Sequence, residues 1–174
     1  MTCTMKDITH IVVPGTFDPV TLGHLDVIRR ATRICPKVTV AVAASQGKNG
    51  TGTTFTLDER VELVEQAIHE EGLSERIDVI GFDCLLVDLC HRIGAGAVVK
   101  GLRATTDFEY ELQQANLNSR LAPDIESIFI MSAPETGYIS SSIVRELARF
   151  GGDVSSLVPA NVNERLVERF GHNK

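Results

Sequence analysis

The sequence lacks any apolar run long enough to cross a membrane. No stretch approaches the roughly 20 apolar residues that a spanning helix needs. The N-terminus MTCTMKDITH also lacks the basic and long apolar segments of a signal peptide. The sequence therefore predicts a cytoplasmic protein without a membrane partner.

Cysteine is scarce and scattered. Cys3, Cys35, Cys84 and Cys90 form no C-x-x-C pair, so neither a disulfide framework nor a zinc site is indicated. We interpret them as thiols in a reducing compartment.

The chain also lacks an excess of positive charge. Its 17 basic and 23 acidic residues give a net charge of −6, which offers no electrostatic footprint for nucleic acid or an anionic membrane surface. Any anion site must therefore be local.

The pattern along the chain is that of an α/β protein. Short apolar runs rich in β-branched residues are each followed by a helical pattern; the runs are Ile8 to Val13, Val38 to Ala43, Ile77 to Ile80, Ala97 to Val99 and Ser127 to Met131. This alternation predicts a five-stranded parallel sheet with crossover helices. A chain of 174 residues without an internal linker suits one domain over residues 1–174.

Helix ends are marked by local signals. Thr56 to Glu59 and Thr106 to Glu109 have the spacing of capping boxes. Two further helices, Leu85 to Gly94 and Ser141 to Gly151, end in glycine, and Asn161 to Phe170 predicts a C-terminal helix.

The stretch PGTFDPVTLGH (residues 14–24) concentrates turn residues between a strand and a helix. Ligands of open parallel sheets bind at the carboxyl ends of the strands, where the chain order reverses. We expect Gly15 and Gly23 to leave space for a polyphosphate, Thr16 and Thr21 to offer hydroxyl groups, and His24 to face an anion from the first helical turn. The loop SQGKNGTGTTF (residues 45–55) is long enough to be functional.

These residues resemble a known family. GTFDPVTLGH resembles the T/H-x-G-H signature of the nucleotidylyltransferase superfamily, and ISSSIVRE (residues 139–146) resembles its second signature, I-S-S-[ST]-x-x-R. With KGLRATTDFEYELQQANLN (residues 100–118), the chain is similar to the bacterial phosphopantetheine adenylyltransferases from about Ile8 to Phe170. The resemblance implies a Rossmann-like dinucleotide-binding fold.

The resemblance also implies a reaction: adenylyl transfer from ATP to 4′-phosphopantetheine, giving dephospho-coenzyme A and pyrophosphate. It further implies Mg²⁺ held by ATP phosphates and water rather than by a protein cluster, a homohexamer, and feedback inhibition by coenzyme A. Alternatives are a relative with another phosphorylated acceptor, such as nicotinate mononucleotide or glycerol 3-phosphate, and a nucleotide-binding protein without turnover. An aminoacyl-tRNA synthetase fragment would need tRNA-binding regions that this acidic chain does not provide.

Site residues are implied by the same match. Thr16 matches the contact to the acceptor phosphate, and His24 matches the histidine that stabilises the α-phosphate in the transition state. Lys48 matches a lysine that reaches the reacting phosphates, and Lys100 and Leu86 match contacts to the acceptor. The remaining matches lie in the ATP site: Phe17, Gly101, Arg103, Glu111, Ser141, Ser142 and Arg145. Val13 stands where relatives often have an aromatic residue.

Overall fold

Strands and helices alternate along the chain. The computed structural model describes residues 7–44, 52–103 and 105–171. In chain order the elements are β1 (His10–Gly15), α1 (Leu22–Ile34), β2 (Lys37–Ala43), α2 (Leu57–Glu70), β3 (Ile77–Phe82), α3 (Leu86–Ile93), β4 (Ala97–Leu102), α4 (Thr105–Leu121), β5 (Glu126–Met131), α5 (Ser141–Arg149) and α6 (Ala160–Phe170).

The five strands form one parallel sheet in the order β3-β2-β1-β4-β5. From β1 the chain proceeds outward to β2 and β3, then returns to β4 on the other side of β1. This reversal places a crevice between the carboxyl ends of β1 and β4, where ligands of such sheets bind. The expected Rossmann-like fold is confirmed.

Successive strand residues face opposite sides of the sheet, so each strand contributes to two apolar layers. Ile11 and Val13 of β1 belong to the layer that includes residues of α1, α2, α5 and α6. Val12 lies in the second layer, with residues of α3 and of the segment that follows α4. The apolar runs of the sequence are thus explained by burial on both faces.

The sequence located the elements well and some ends less well. Thr56 and Glu59 form the predicted capping box of α2, and Gly94 ends α3 in the left-handed conformation, with φ of 71°. The second predicted box was wrong, because α4 already begins at Thr105, which puts Thr106 inside the helix. Within the described ranges, no helix is both long and apolar enough to span a bilayer.

Candidate active site

A cavity of about 440 Å³ opens at the carboxyl ends of β1 and β4. All but two of the predicted site residues line it: Thr16, Phe17, His24, Lys100, Gly101, Arg103, Glu111, Ser141, Ser142 and Arg145. Lys48 lies outside the described residues. Leu86 is the first residue of α3 and packs, half-buried, against the second apolar layer rather than on the cavity wall; its contact to the acceptor stays a prediction.

The turn after β1 is shaped by Phe17. Its φ of 49° is left-handed, a conformation that is uncommon outside glycine. The ring is only 3% exposed and contacts the His24 ring edge-to-face, with centroids 5.0 Å apart. A Cβ on Gly15 would lie 2.9 Å from that ring, so this glycine makes room for Phe17 rather than for a ligand.

A similar correction applies to Gly23. A Cβ there would lie 3.3 Å from the carbonyl oxygen of Thr136. The missing side chain therefore allows α1 to approach the segment after β5. The two glycines serve the packing of the cavity wall, and the expectation that they leave space for a polyphosphate was wrong in its physical reason.

His24 closes a capping box at the start of α1. The Thr21 side chain accepts a hydrogen bond from the His24 N–H at 3.3 Å, and the Thr21 N–H donates to Nδ1 of His24 at 3.0 Å. Because a backbone N–H is only a donor, Nδ1 must be the unprotonated nitrogen. The proton of the neutral ring is then on Nε2, which makes no hydrogen bond within the described residues.

The electrostatics of the site keep His24 neutral. Burial, and secondarily the positive charge of Arg103, lower the pKa of His24 to about 4. The positive end of α1 acts in the same direction. At neutral pH the cavity therefore receives an uncharged N–H donor from this residue.

Two helix N-termini face the cavity. In α1, the Leu22 N–H donates to the Leu157 carbonyl at 3.0 Å and His24 is capped by Thr21, which leaves the Gly23 N–H as an end donor. In α5, Ser140 caps Ile143 at 3.2 Å. Backbone N–H groups at such ends bind anionic oxygens.

Cations surround these donors. Arg145 donates from Nη1 to the Asp18 carbonyl oxygen and lies 3.8 Å from the Asp18 carboxylate, and Arg103 donates to the Ile139 carbonyl at 3.3 Å. Lys100 forms a 2.7 Å ion pair with Glu111. A chain of net charge −6 thus concentrates three cations on one wall, which suits a polyanionic ligand.

Metal binding by the protein alone finds no support in the described ranges, where no three His, Cys, Asp or Glu side chains are grouped to hold an ion. The cavity carboxylates Asp18 and Glu111 are both engaged with protein groups. The arrangement fits a metal that arrives on the phosphates of a nucleotide, since Mg²⁺ commonly keeps phosphate and water ligands.

Sequence reasoning misassigned one residue that shapes the site and missed two others. Thr21 was expected to offer its hydroxyl to a ligand but instead caps α1; the spacing Thr-x-x-His, similar to that of a capping box, was the available signal. Asp18 and Arg60 are 2% exposed and hydrogen-bond backbone groups of distant segments. No local signal revealed these long-range contacts.

Comparisons with known proteins identify similar sequences. The sequence model of the Cytidylyltransferase-like family matches residues 12–147. The chain is 46% identical to phosphopantetheine adenylyltransferase of Rhodospirillum rubrum over 91% of both chains. It is also 46% identical to the enzyme of that name from Hahella chejuensis, covering 94% of this chain and 98% of the relative.

Solved structures with the same fold are more distant in sequence. A bifunctional NMN adenylyltransferase/ADP ribose pyrophosphatase from Francisella tularensis, complexed with AMP and a manganese ion, superposes with a TM-score of 0.68 at 14% identity, over 93% of this chain and half of its own length. A putative nicotinate-nucleotide adenylyltransferase from Vibrio parahaemolyticus gives 0.64 at 18% identity, over 91% of this chain and 97% of its own. These likenesses concern the fold.

Proposed function

The chain belongs to the phosphopantetheine adenylyltransferase family, and we propose that its cavity aligns ATP with 4′-phosphopantetheine. The enzyme transfers the adenylyl group of ATP to 4′-phosphopantetheine, which yields dephospho-coenzyme A and pyrophosphate. An oxygen of the acceptor phosphate forms a bond to the α-phosphorus. The bond from that phosphorus to the bridging oxygen breaks, and its electron pair leaves with pyrophosphate.

This chemistry makes modest demands on the protein. The acceptor phosphate is already ionised at neutral pH, so the reaction needs neither a general base nor a nucleophile from the enzyme. What remains is to hold two anions in line and to stabilise the charge that moves onto the α-phosphate oxygens and the leaving group.

The observation that carries the proposal is the hydrogen bond from the Thr21 N–H to Nδ1 of His24, which requires the Nε2–H tautomer. Because Thr21 holds Nδ1 at 3.0 Å, the Nε2–H group is available to a non-bridging oxygen of the α-phosphate. A neutral donor strengthens its hydrogen bond as charge develops in the transition state, and no proton has to be transferred.

Each of the other cavity residues is assigned to one of the two substrates. We assign Thr16 and Lys100 to the acceptor phosphate, and Phe17, Gly101, Arg103, Glu111, Ser141, Ser142 and Arg145 to ATP, on the basis of the family match and their place on one cavity. Lys48 is assigned to the reacting phosphates from the sequence match. Replacing Lys48 with alanine should lower turnover more than it weakens ATP binding.

Mg²⁺ is proposed to enter as part of the nucleotide substrate. When bound to ATP it neutralises phosphate charge and supports departure of pyrophosphate. The chain's own cations then contact the phosphate oxygens that the metal leaves free. Activity in excess chelator equal to that with magnesium would contradict this assignment.

We further propose one domain over residues 1–174, a cytoplasmic location, and a homohexamer inhibited by coenzyme A. Exposed apolar side chains on α4, on α5 and directly after α5 support self-association; among them are Phe108, Tyr110, Leu112, Leu117, Leu121, Ile143, Leu147 and Phe150. Light scattering tests the assembly, and titration of coenzyme A into the assay tests inhibition.

Pyrophosphate release tests the function directly. The purified chain should release pyrophosphate from MgATP with 4′-phosphopantetheine, and should do so at most weakly with nicotinate mononucleotide or glycerol 3-phosphate. Release with one of the latter acceptors alone would move the chain to another acceptor class. ATP binding without release for any acceptor would indicate a nucleotide-binding protein.

A further inference from the structure

Arg60 is a buried cation in a position where an apolar residue would be expected. It lies in the first turn of α2, on the buried side with Leu63 and Val64, and is 2% exposed. Burying a guanidinium is costly unless its N–H groups are all well bonded. Burial lowers the pKa of Arg60, and the nearby Asp18 carboxylate opposes that shift.

The hydrogen bonds of Arg60 join three separate segments. Nη1 donates to the carbonyl oxygen of Thr16 at 2.6 Å and to that of Ala43 at 2.8 Å, and Nε donates to the carbonyl oxygen of Phe55 at 3.2 Å. Arginine holds its donors in a rigid fork. A lysine at this position has one nitrogen and cannot reach all three oxygens in the same geometry.

Asp18 completes the arrangement from the other side. Its carboxylate accepts from the Thr54 N–H at 2.8 Å and from the Phe55 N–H at 2.9 Å. We call Arg60, Asp18 and the backbone groups that they bond the Arg60–Asp18 clamp. It fixes the turn after β1, the end of β2 and the start of α2 relative to one another.

The clamp acts at the cavity without belonging to the set of proposed ligand contacts. Thr16 is exposed and lines the cavity, whereas Arg60 is buried and is not among the residues that line it. Thr16, which is assigned to the acceptor phosphate, is therefore tied to Arg60 through its backbone carbonyl.

We propose that Arg60, with Asp18, is a positioning residue that sets the place of Thr16, on the acceptor side, relative to the α-phosphate of ATP. This rests on the proposed adenylyl transfer. Arg60 donates its hydrogen bonds to the carbonyl oxygens of Thr16, Ala43 and Phe55, and none of these three residues is assigned to ATP. Loss of the clamp should therefore affect turnover and the acceptor more than ATP affinity.

The test compares Arg60→Lys with a matched variant, Arg76→Lys. Arg76 also donates to backbone carbonyls, those of Thr32 and Cys35, but at the opposite end of the sheet. We expect Arg60→Lys to lower the single-turnover rate about 10- to 100-fold, because small misplacements of reacting groups cost rates of this order. ATP affinity measured by calorimetry should stay within about threefold, and Arg76→Lys should lose thermal stability without losing rate.

A double-mutant cycle separates positioning from general destabilisation. If Arg60 acts through Thr16, its effect should shrink when Thr16→Ala is already present. Full additivity would overturn the proposal, as would a normal rate per folded molecule in Arg60→Lys.

Asp18→Asn serves as a second variant, because it removes one acceptor for the Thr54 or Phe55 N–H while the three carbonyl partners of Arg60 remain in place. It also removes the carboxylate that lies 3.8 Å from Arg145, so ATP affinity is measured on the same preparation. Should Arg60→Lys fail to unfold cooperatively, this variant decides: a lowered rate with ATP affinity retained supports the clamp, and a normal rate overturns it. An inactive wild-type chain would instead contradict the proposed function.

Discussion

The two ends of the sheet each carry a histidine and a lysine, but the hydrogen bonds and ion pairs of these residues differ. At the amino end, His10 is bonded through both ring nitrogens, with Nδ1 3.1 Å from the Ile93 carbonyl and Nε2 2.8 Å from the Thr39 hydroxyl. At the carboxyl end, and among the residues that the structure describes, His24 is bonded through Nδ1 only. Burial lowers the pKa of both, so a shifted pKa does not distinguish them.

The ion pairs differ in the same way. Lys37 and Asp78 at the amino end are 3.4 Å apart, with side chains 56% and 63% exposed. Lys100 and Glu111 in the cavity are 2.7 Å apart, with side chains 23% and 19% exposed. The first pair is solvated, whereas the second is half-buried in the cavity wall.

Volume does not separate the two ends either. The hollow beside His10 and Lys37 measures about 510 Å³, more than the cavity of about 440 Å³ beside His24. The two ends differ instead in whether a ring nitrogen of the histidine lacks a partner inside the protein. At the amino end both ring nitrogens of His10 are hydrogen-bonded. At the carboxyl end, Nε2 of His24 makes no hydrogen bond within the described residues.

The largest expected effect comes from comparing the two histidines by substitution. His24→Ala should lower turnover on the order of 10² to 10³-fold, the usual loss when one preorganised donor is removed, with ATP affinity within a few-fold. His10→Ala should keep its turnover per folded molecule and lose about 1 to 3 kcal/mol of unfolding free energy, because two buried partners lose their bonds.

Single-turnover rates and melting temperatures on the same preparations decide between these patterns. A destabilised but active His24→Ala protein would reverse the assignment, since His24 would then be a packing residue. Loss of turnover in a fully folded His10→Ala protein would remove the contrast between the two ends.

The lysines provide a comparison of intermediate size. Lys100→Met should raise the Michaelis constant for 4′-phosphopantetheine about 10- to 100-fold, as expected for a lost hydrogen bond to a charged group. Lys37→Met should change neither activity nor stability by more than about 0.5 kcal/mol, because exposed ion pairs contribute little. An equal effect of the two on acceptor kinetics would show that Lys100 does not contact the acceptor.

The features that could be predicted from the sequence are those whose signals lie in residues close together along the chain. The capping box at Thr56 and the glycine at Gly94 involve neighbouring residues, and both were placed correctly. The cavity residues were found through motif resemblance, because motifs preserve the residues on a wall even when their spacing along the chain is large.

Long-range hydrogen bonds escaped this reasoning. In the sequence, Arg60 has the pattern of an ordinary polar residue on a helix. Its three partners are the backbone carbonyls of Thr16, Ala43 and Phe55, and a backbone partner cannot be recognised from the type of its side chain. The role of Gly15 was misjudged for a related reason, since the ring that occupies its missing side-chain space reaches it only through the left-handed turn at Phe17. Both features need the fold before they can be seen.

A smaller effect is expected at the cap of α1. Thr21→Val removes the hydroxyl that caps the His24 N–H at 3.3 Å but keeps the backbone N–H that fixes Nδ1. We expect a loss of about 1 kcal/mol in unfolding free energy with turnover within about fivefold. A loss of turnover as large as that of His24→Ala would mean that the hydroxyl, rather than the backbone N–H, determines the ring's tautomer.

The smallest expected effect is an absence of pH dependence from His24. The folded-state pKa of about 4 lies below the ordinary histidine pKa of 6.5, so the native state binds fewer protons at this site than the unfolded chain between these values. The stability that comes from a neutral His24 is therefore complete above about pH 6.5 and is lost as the pH falls toward 4. Turnover with saturating substrates should show no step from this group between pH 6 and 8.

Nitrogen-15 NMR of the histidine rings tests this most directly, because it reports both the titration midpoint and which nitrogen carries the proton. We expect the His24 signal to show an Nε2–H tautomer with a midpoint near pH 4, and to shift when MgATP is added, while the His10 signal stays in place. A proton on Nδ1 would make Nε2 an acceptor and would require another donor at the α-phosphate, whereas a midpoint near 6.5 would show that the site does not hold His24 neutral and that part of the protein carries a charged donor at pH 7.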